Sequence, residues 1–141
     1  MKKVHIITDS TSDISQFEAE KLNIDVVPLH VNIDGVDYID GLTISNQDFF
    51  KKLRTAKILP KTSAPSPASF LEKINRHPLD EEIIIMTISS DASATYSSAQ
   101  LAVKESGRSN ITLIDTRQAT LGLLALVNAA VLFRDAGDDA K

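Results

Sequence analysis

The second half of this chain contains the apolar run Glu82-Ile83-Ile84-Ile85-Met86-Thr87-Ile88. Its apolar residues do not alternate with polar ones, which is typical of a parallel strand covered on both faces by helices. A segment rich in hydroxyl side chains follows, Ser89-Ser90-Asp91-Ala92-Ser93-Ala94-Thr95-Tyr96-Ser97-Ser98-Ala99. This succession of strand, polar turn and helix predicts an α/β domain, and the hydroxyls indicate a site for a polar or anionic group.

The flanking segments fit the same architecture. Val4–Ile7 and Ile111–Ile114 are typical of short strands, and Asp34-Gly35 is typical of a hairpin turn. Five helices are predicted, each beginning at or near a hydroxyl residue: Ser15, Ser45, Ser66, Ser93 and Thr120. We therefore expect residues 1–141 to form a single α/β domain with a mainly parallel sheet flanked by helices and a short antiparallel hairpin insertion.

Two local features carry more specific expectations. Pro28 interrupts the segment from Ile24 to Val31, which favours an edge strand or a bulge there. The helix after Ser45 carries the apolar residues Phe49, Phe50 and Leu53. Their spacing predicts a buried stripe on that helix.

Composition narrows the class of function. The 141 residues are 43% hydrophobic, contain no Cys and carry a formal net charge of −4. A chain of this size can bury a core, and without cysteine it has neither a disulfide frame nor a zinc ribbon. An acidic balance gives no basic surface for a phosphate backbone, so we expect no nucleic-acid partner.

The chain also lacks the pattern of a membrane protein. The most apolar segment, Leu121–Phe133, is shorter than the roughly 18 residues of a membrane span and contains Asn128. Met1-Lys2-Lys3 could open a signal peptide, but Asp9 and the residues after it interrupt the apolar run. These observations predict a cytoplasmic protein without a transmembrane segment.

Three polar segments follow predicted strands: Thr8–Ser12, Ser89–Ser93 and Asp115–Thr120. Ligands of parallel sheets bind at the carboxyl ends of the strands, so we expect these segments to lie together. A second hydroxyl-rich stretch, Lys61-Thr62-Ser63-Ala64-Pro65-Ser66-Pro67, leads into another helix. Because neither stretch brings a metal-ligand cluster or an obvious base, the pattern favours a binding site over an enzyme.

Several short motifs along nearly the whole chain match those of a known protein family in their order and spacing. They are Thr8-Asp9-Ser10-Thr11, Val27-Pro28-Leu29 with Val31, Asp40-Gly41, Lys61 to Pro67, Ser89 to Ala99, and Ile114-Asp115-Thr116 with Gly122. The chain resembles the DegV family in these motifs. That resemblance implies a non-catalytic protein that binds one long-chain fatty acid, similar to palmitate or oleate, and needs no other cofactor.

The resemblance also implies a partner and a site. Several members of the family are acyl-carrying subunits of bacterial fatty acid kinase, whose catalytic subunit phosphorylates the bound carboxylate with ATP. By motif, the carboxylate would be held by Thr62 and Ser93, with Ser63, Ser66 and the backbone amide of Ala94 as neighbours. Hydroxyls and amides at helix starts suit this role because charge-assisted hydrogen bonds are the strong ones.

This chain departs from the family pattern at two points. Ala94 stands where the family usually has Gly, and its methyl group would narrow the approach to the backbone. The family's second, lipid-binding domain is expected to be absent, because the chain stops just after the helix that leads to it. An apolar surface exposed by that absence would favour self-association.

The residues expected to line the acyl chain are Phe70, Ile88, Leu29 and the Leu121–Leu126 face.

Other readings stay open. An aspartate-nucleophile phosphotransferase would use Asp9, although Thr11 stands where its second acid belongs. A phosphocarrier would need a His at the end of the first strand, where His5 comes too early. A half-length relative without a ligand would be an interaction module.

No metal site is predicted, since His5 fits a half-buried structural role and His30 and His77 have no partner at metal-ligand spacing.

Overall fold

The computed structural model describes residues 3–138. The strands and helices follow one another along the chain in the order β1 Val4–Asp9, α1 Gln16–Leu22, β2 Asp25–Val27, β3 His30–Ile33, β4 Val36–Ile39, α2 Asn46–Thr55, β5 Lys61–Ser63, α3 Pro67–Asn75, β6 Glu82–Thr87, α4 Thr95–Ser106, β7 Ile111–Asp115 and α5 Leu121–Ala136. A short 3-10 turn, Ser10–Ser12, follows β1.

The main sheet is four-stranded and parallel, in the order β2-β1-β6-β7. Its two faces bury separate apolar clusters. Ile6 and Met86 pack on one face with Leu123 of α5, while Ile7 and Ile85 pack on the other, against α3 and α4. Coverage on both faces explains why β6 lacks alternation, and the predicted α/β class with a parallel sheet is confirmed.

A second, antiparallel sheet has the order β4-β3-β5. The hairpin turn predicted at Asp34-Gly35 joins β3 to β4, and both turn residues have positive φ, at 50° and 85°. The edge position expected near Pro28 holds for β2, which ends at Val27 and is the outermost strand of the parallel sheet. Pro28 lies between β2 and β3, where the chain leaves one sheet for the other, because a residue without an N–H group interrupts a ladder.

The helices begin close to the predicted positions. Ser15, Ser45 and Ser66 each accept a hydrogen bond from the amide three residues on and so cap α1, α2 and α3. The predicted buried stripe of α2 is wrong: no residue of α2 is buried, and Phe50 is 57% exposed. This helix covers the small sheet with one edge only, through Phe49.

Within residues 3–138, no helix combines the length and the apolar character that crossing a membrane requires.

Candidate functional site

The three polar segments predicted to meet do lie together at the carboxyl edge of the parallel sheet. The Ile88 amide donates to Asp9 Oδ2 at 2.8 Å, and the Thr120 amide donates to the carbonyl of Thr11 at 2.9 Å. The Ser89 amide donates to the carbonyl of Gln118, also at 2.9 Å. The loops after β1, β6 and β7 are therefore joined into one surface.

Asp9 is the centre of that junction. Its side chain is fully buried, and Oδ1 accepts from the Thr11 amide at 2.9 Å and from the Thr11 hydroxyl at 2.5 Å. Burial raises the pKa of Asp9, against the opposing effect of the hydrogen bonds from Thr11 and Ile88. A buried carboxylate with both oxygens engaged is placed to hold loops together, which argues against Asp9 as a phosphotransferase nucleophile.

Ser93 lies beside the start of α4 and is partly exposed. Its Oγ accepts from the Thr95 amide at 3.2 Å and lies 2.8 Å from Thr95 Oγ1. The helix begins at Thr95, two residues later than expected, with Ala94 as its N-cap residue. Thr95 is fully buried, so its hydroxyl faces Ser93 and not water.

Ala94 fits its position without strain. Its φ of −72° is open to any residue, so the methyl group in place of the family's usual Gly costs nothing in backbone conformation. The amides in the first turn of a helix have no intrahelical acceptors. The start of α4 therefore offers N–H groups to an anion, and Ala94 is exposed beside them.

Thr62 and Ser63 lie in β5, which pairs with β3 through Val31 opposite Thr62 and His30 opposite Ser63. Both hydroxyl residues are exposed. Three residues on, Ser66 accepts from the Ser69 amide at 3.2 Å, and its Oγ lies 2.9 Å from Ser69 Oγ. Ser66 is thus a helix cap whose hydroxyl is shared with Ser69.

The direction of the helices relates these two groups of hydroxyls. The α3 helix ends near His77, which contacts Asp25 at the amino-terminal end of β2. The helix therefore starts at the opposite, carboxyl edge of the sheet. Since α4 follows β6 and also starts at that edge, the N-termini of α3 and α4, with Ser66 and Ser93, lie at the same edge on the same face.

Paired charges border this edge. The Ser90 hydroxyl donates to Asp115 Oδ2 at 2.5 Å, and this hydrogen bond lowers the pKa of Asp115. Arg117 forms ion pairs with Asp115, at 3.2 Å from Nε to Oδ2, and with Asp91. The Arg117 guanidinium is committed to two acids, so an anion at this edge would rely on hydroxyl and amide donors.

Strain also concentrates here. Thr120, a β-branched residue, has a φ of 48°, and its amide is held by the carbonyl of Thr11. Thr8 and Thr87 are buried at the ends of β1 and β6, and within residues 3–138 their hydroxyls have no hydrogen-bond partner. Strained backbone and unsatisfied polar groups are features that collect at functional sites.

The candidate wall residues divide into two groups. Phe70, Ile88 and Leu29 are buried, with Phe70 fully enclosed in the core. Leu121, by contrast, is 75% exposed at the start of α5, at the carboxyl edge of the sheet. Open apolar surface in the predicted wall therefore comes from α5, at Leu121 and Leu126, whereas Leu123 of the same helix is buried.

Sequence reasoning missed a cluster at the opposite edge of the sheet. His5 and His77 stack with ring centroids 3.5 Å apart, and the Nε2 atoms of both contact Asp25 Oδ2, at 3.0 and 2.8 Å. The expectation that His77 has no partner is wrong, and His5 is buried rather than half-buried. Separations of 20 and 52 residues gave no local signal for this contact.

Comparison with known proteins gives a consistent result. The family model described as "Uncharacterised protein, DegV family" matches residues 3–141. A DegV domain-containing protein of Clostridium perfringens is 39% identical over 135 residues, which cover 94% of this chain and 48% of that protein.

Solved structures share the fold. A fatty-acid-binding DegV family protein from Thermus thermophilus has a TM-score of 0.85 at 35% identity, over 98% of this chain and 49% of that one. The Fatty Acid Kinase B3 protein of Streptococcus pneumoniae, loaded with linoleic acid, has a TM-score of 0.81 at 21% identity, over 97% and 50%. This chain spans about half the length of the relatives it matches.

Proposed function

We propose, from the premise that this chain belongs to the DegV family, that it binds the carboxylate of a long-chain fatty acid at the carboxyl edge of its parallel sheet. The observation that carries the proposal is the placement of two helix N-termini, those of α3 and α4, at that one edge beside exposed hydroxyls. Helix N-termini favour anions because their amides lack acceptors and the helix dipole is positive there.

Ser93 is the hydroxyl best prepared to hold the carboxylate. Its Oγ already accepts the Thr95 amide, and the buried Thr95 hydroxyl is positioned to donate to it as well. With two donors directed at Oγ, the Ser93 hydrogen is left to point outward to a ligand oxygen. Thr95 is thus a positioning residue, and donation to Ser93 strengthens the bond that Ser93 gives.

Thr62, Ser63 and Ser66 would complete the headgroup site from the other side. Thr62 and Ser63 are exposed on β5, which runs directly toward Ser66 at the start of α3. The Ala94 amide would add a backbone donor. Donors of this kind hold a carboxylate without a guanidinium clamp, which leaves the group open to a second protein.

The acyl chain would supply most of the affinity, at about 0.8 kcal/mol for each buried methylene group. Exposed Leu121, at the start of α5, offers apolar surface at the same edge of the sheet. We propose that this chain corresponds to the first of the family's two domains, so that the second domain of a full-length member would cover much of the remaining tail. A palmitate- or oleate-like ligand fits this division.

We further propose that the bound carboxylate is presented to a fatty acid kinase catalytic subunit. The kinase would bring ATP and the catalytic groups, and this chain would bind and orient the substrate without catalysing the reaction itself. A step that uses ATP belongs in the cytoplasm. Its direct assay is acyl phosphate formed by a fatty acid kinase catalytic subunit in the presence of this chain and ATP.

Native mass spectrometry of the chain purified from bacteria, followed by lipid extraction, tests the binding proposal. A stoichiometric adduct with the mass of a fatty acid is expected. Ser93→Ala should weaken oleate binding by roughly 1–3 kcal/mol, as expected for a lost hydrogen bond to a charged group, and Thr62→Val should act similarly. Ser97→Ala, an exposed hydroxyl on α4, is the matched control and should bind like the wild type.

Two results would contradict the proposal. A chain that carries no lipid and takes up neither palmitate nor oleate does not bind fatty acids on its own. Binding that survives unchanged in both Ser93→Ala and Thr62→Val would place the headgroup elsewhere. Thr95→Val distinguishes positioning from contact, because it should weaken binding only while Ser93 is present.

A further inference from the structure

The amino-terminal edge of the parallel sheet, opposite the proposed headgroup site, holds a cluster of two histidines and one aspartate. His5 of β1, Asp25 of β2 and His77 after α3 each offer one ligand atom, and the three atoms lie within 4.8 Å of one another. Their side chains are 9%, 18% and 16% exposed. We propose that these three residues bind one divalent transition-metal ion, with Zn²⁺ favoured over Mg²⁺ and Ca²⁺.

The ligand set matches this class of ion. Two imidazole nitrogens and one carboxylate oxygen are typical donors to Zn²⁺, whereas Mg²⁺ and Ca²⁺ require mainly oxygen. The Nε2 to Oδ2 distances are 3.0 Å for His5 and 2.8 Å for His77. Ligand atoms that share one tetrahedral ion at about 2.0–2.2 Å lie roughly 3.3–3.6 Å apart, so the Asp25 oxygen is already close to the required distance from each imidazole nitrogen.

A second contact sets the orientation of His77. Its Nδ1 lies 3.2 Å from Glu81 Oε2. If Nδ1 donates its only proton to Glu81, Nε2 turns a lone pair toward the Asp25 carboxylate, and the space between them is filled either by a second ring proton or by a metal ion. Metal-binding histidines regularly donate their other N–H to a carboxylate in this way.

The loop that carries His77 and Glu81 is fixed in place. The Arg108 guanidinium donates to the carbonyls of His77 at 3.0 Å and Glu81 at 2.7 Å, and also to that of Pro78. Asn110 donates to the Glu81 carbonyl as well. These bonds hold the outer carboxylate and one imidazole in position, as a preorganised metal site requires.

Solvent can reach the cluster, and one neighbouring positive charge opposes a metal ion there. A cavity of about 370 Å³, partly lined by His5 and Glu81, opens beside the cluster. Lys73 Nζ lies 3.2 Å from Asp25 Oδ1 and opposes a metal charge. The imidazole rings now stack at 29°, and since ring lone pairs lie in the ring planes, a shared ion would open this stack.

Isothermal titration of the EDTA-treated full chain with Zn²⁺ tests the proposal. One Zn²⁺ per chain is expected, with no comparable heat from Mg²⁺. His5→Gln and His77→Gln should each reduce affinity by more than about 10-fold, and Glu81→Gln by about 10-fold as an outer ligand. Lys73→Gln should raise affinity, because it removes a neighbouring positive charge. His30→Gln, a histidine of the small sheet, is the control and should bind as the wild type does.

A measurement on the wild type guards against variants that fail to fold. Co²⁺ bound by two imidazoles and a carboxylate should produce visible absorption bands and displace the ring proton resonances of His5 and His77 while leaving those of His30. A wild-type chain that shows neither stoichiometric Zn²⁺ binding nor these Co²⁺ signals would overturn the proposal. Metal binding that is retained in folded His5→Gln and His77→Gln variants, or lost in His30→Gln, would overturn it equally.

Discussion

Replacing Asp9 with Asn should destabilise the protein although the two side chains have nearly the same shape. The Asp9 carboxylate accepts from the Ile88 amide on one oxygen and from the amide and hydroxyl of Thr11 on the other. An Asn side chain keeps one of those acceptors and replaces the other with an NH₂ group. One buried N–H donor, at Ile88 or at Thr11, then faces another donor.

The size of the effect follows from these contacts. A buried donor left without an acceptor costs about 1–3 kcal/mol, and loss of the charge weakens the remaining bonds by roughly 1 kcal/mol in total. Part of this lost stability is recovered because the substitution also removes a buried charge, and burial disfavours the ionised form. We expect a net loss of about 2 kcal/mol from the free energy of unfolding, a large share of the 5–15 kcal/mol typical of a domain.

Urea denaturation followed by circular dichroism measures this loss, because the chain has no Trp for a fluorescence signal. Asp91→Asn is the control. The Asp91 side chain is 75% exposed and pairs with Arg117 at the surface, so its loss should cost between about 0 and 1 kcal/mol. An Asp9→Asn variant within about 0.5 kcal/mol of the wild type would refute the view that Asp9 joins the loops.

The pH dependence of that difference gives a second check. Because the pKa of Asp9 is raised in the folded state, its contribution to stability is fully present below the ordinary value of 3.8. It is lost as pH rises through the folded-state pKa. The stability gap between the wild type and Asp9→Asn should therefore narrow as pH rises through that window, and a gap that widens would contradict the assigned direction.

Three further perturbations test other parts of the structure. Arg108→Lys should lower the free energy of unfolding by about 2 kcal/mol in urea titrations, since a single ammonium group cannot reach the four carbonyls that the guanidinium contacts. An unchanged urea midpoint would contradict this prediction. Ser90→Ala should raise the pKa of Asp115 toward its ordinary value in a carboxyl NMR titration, because the hydrogen bond from the Ser90 hydroxyl contributes most to the lowering of that pKa. We expect self-association through exposed apolar surface, to which Phe133 contributes at 62% exposure. Phe133→Asp should reduce the mass measured by sedimentation, whereas Lys104→Asp, a change on α4, should not. A wild-type chain that sediments as a monomer would contradict this expectation.

The sequence predicted the elements whose signal is local. The apolar run of β6, which lacks alternation, identified a parallel strand, and Ser66 marked a helix start that the structure confirms. Strand β5 was missed because Lys61-Thr62-Ser63 contains no apolar residue, and it is a strand only through its pairing with β3. Tertiary pairing of this kind leaves no local periodicity to detect.

The candidate site divides in the same way. The meeting of the loops after β1, β6 and β7 followed from the rule for parallel sheets and is confirmed by contacts such as Asp9 to Ile88. The roles of Thr62 and Ser93 remain predictions. The junction role of Asp9 could not be foreseen, because the same sequence suits a solvated turn, and only burial distinguishes the two.

The order of the parallel sheet has a consequence for how the chain folds. Strand β1 pairs with β6, and the bond that closes their carboxyl edge joins residues 79 positions apart. Contacts of such long range are slow to form, because a large loop must close before they contribute. On the ribosome, β1 can gain its central partner only after β6 has been synthesised and released from the exit tunnel. Until then its apolar edge stays open, so mistakes in folding and capture by chaperones should concentrate in this interval.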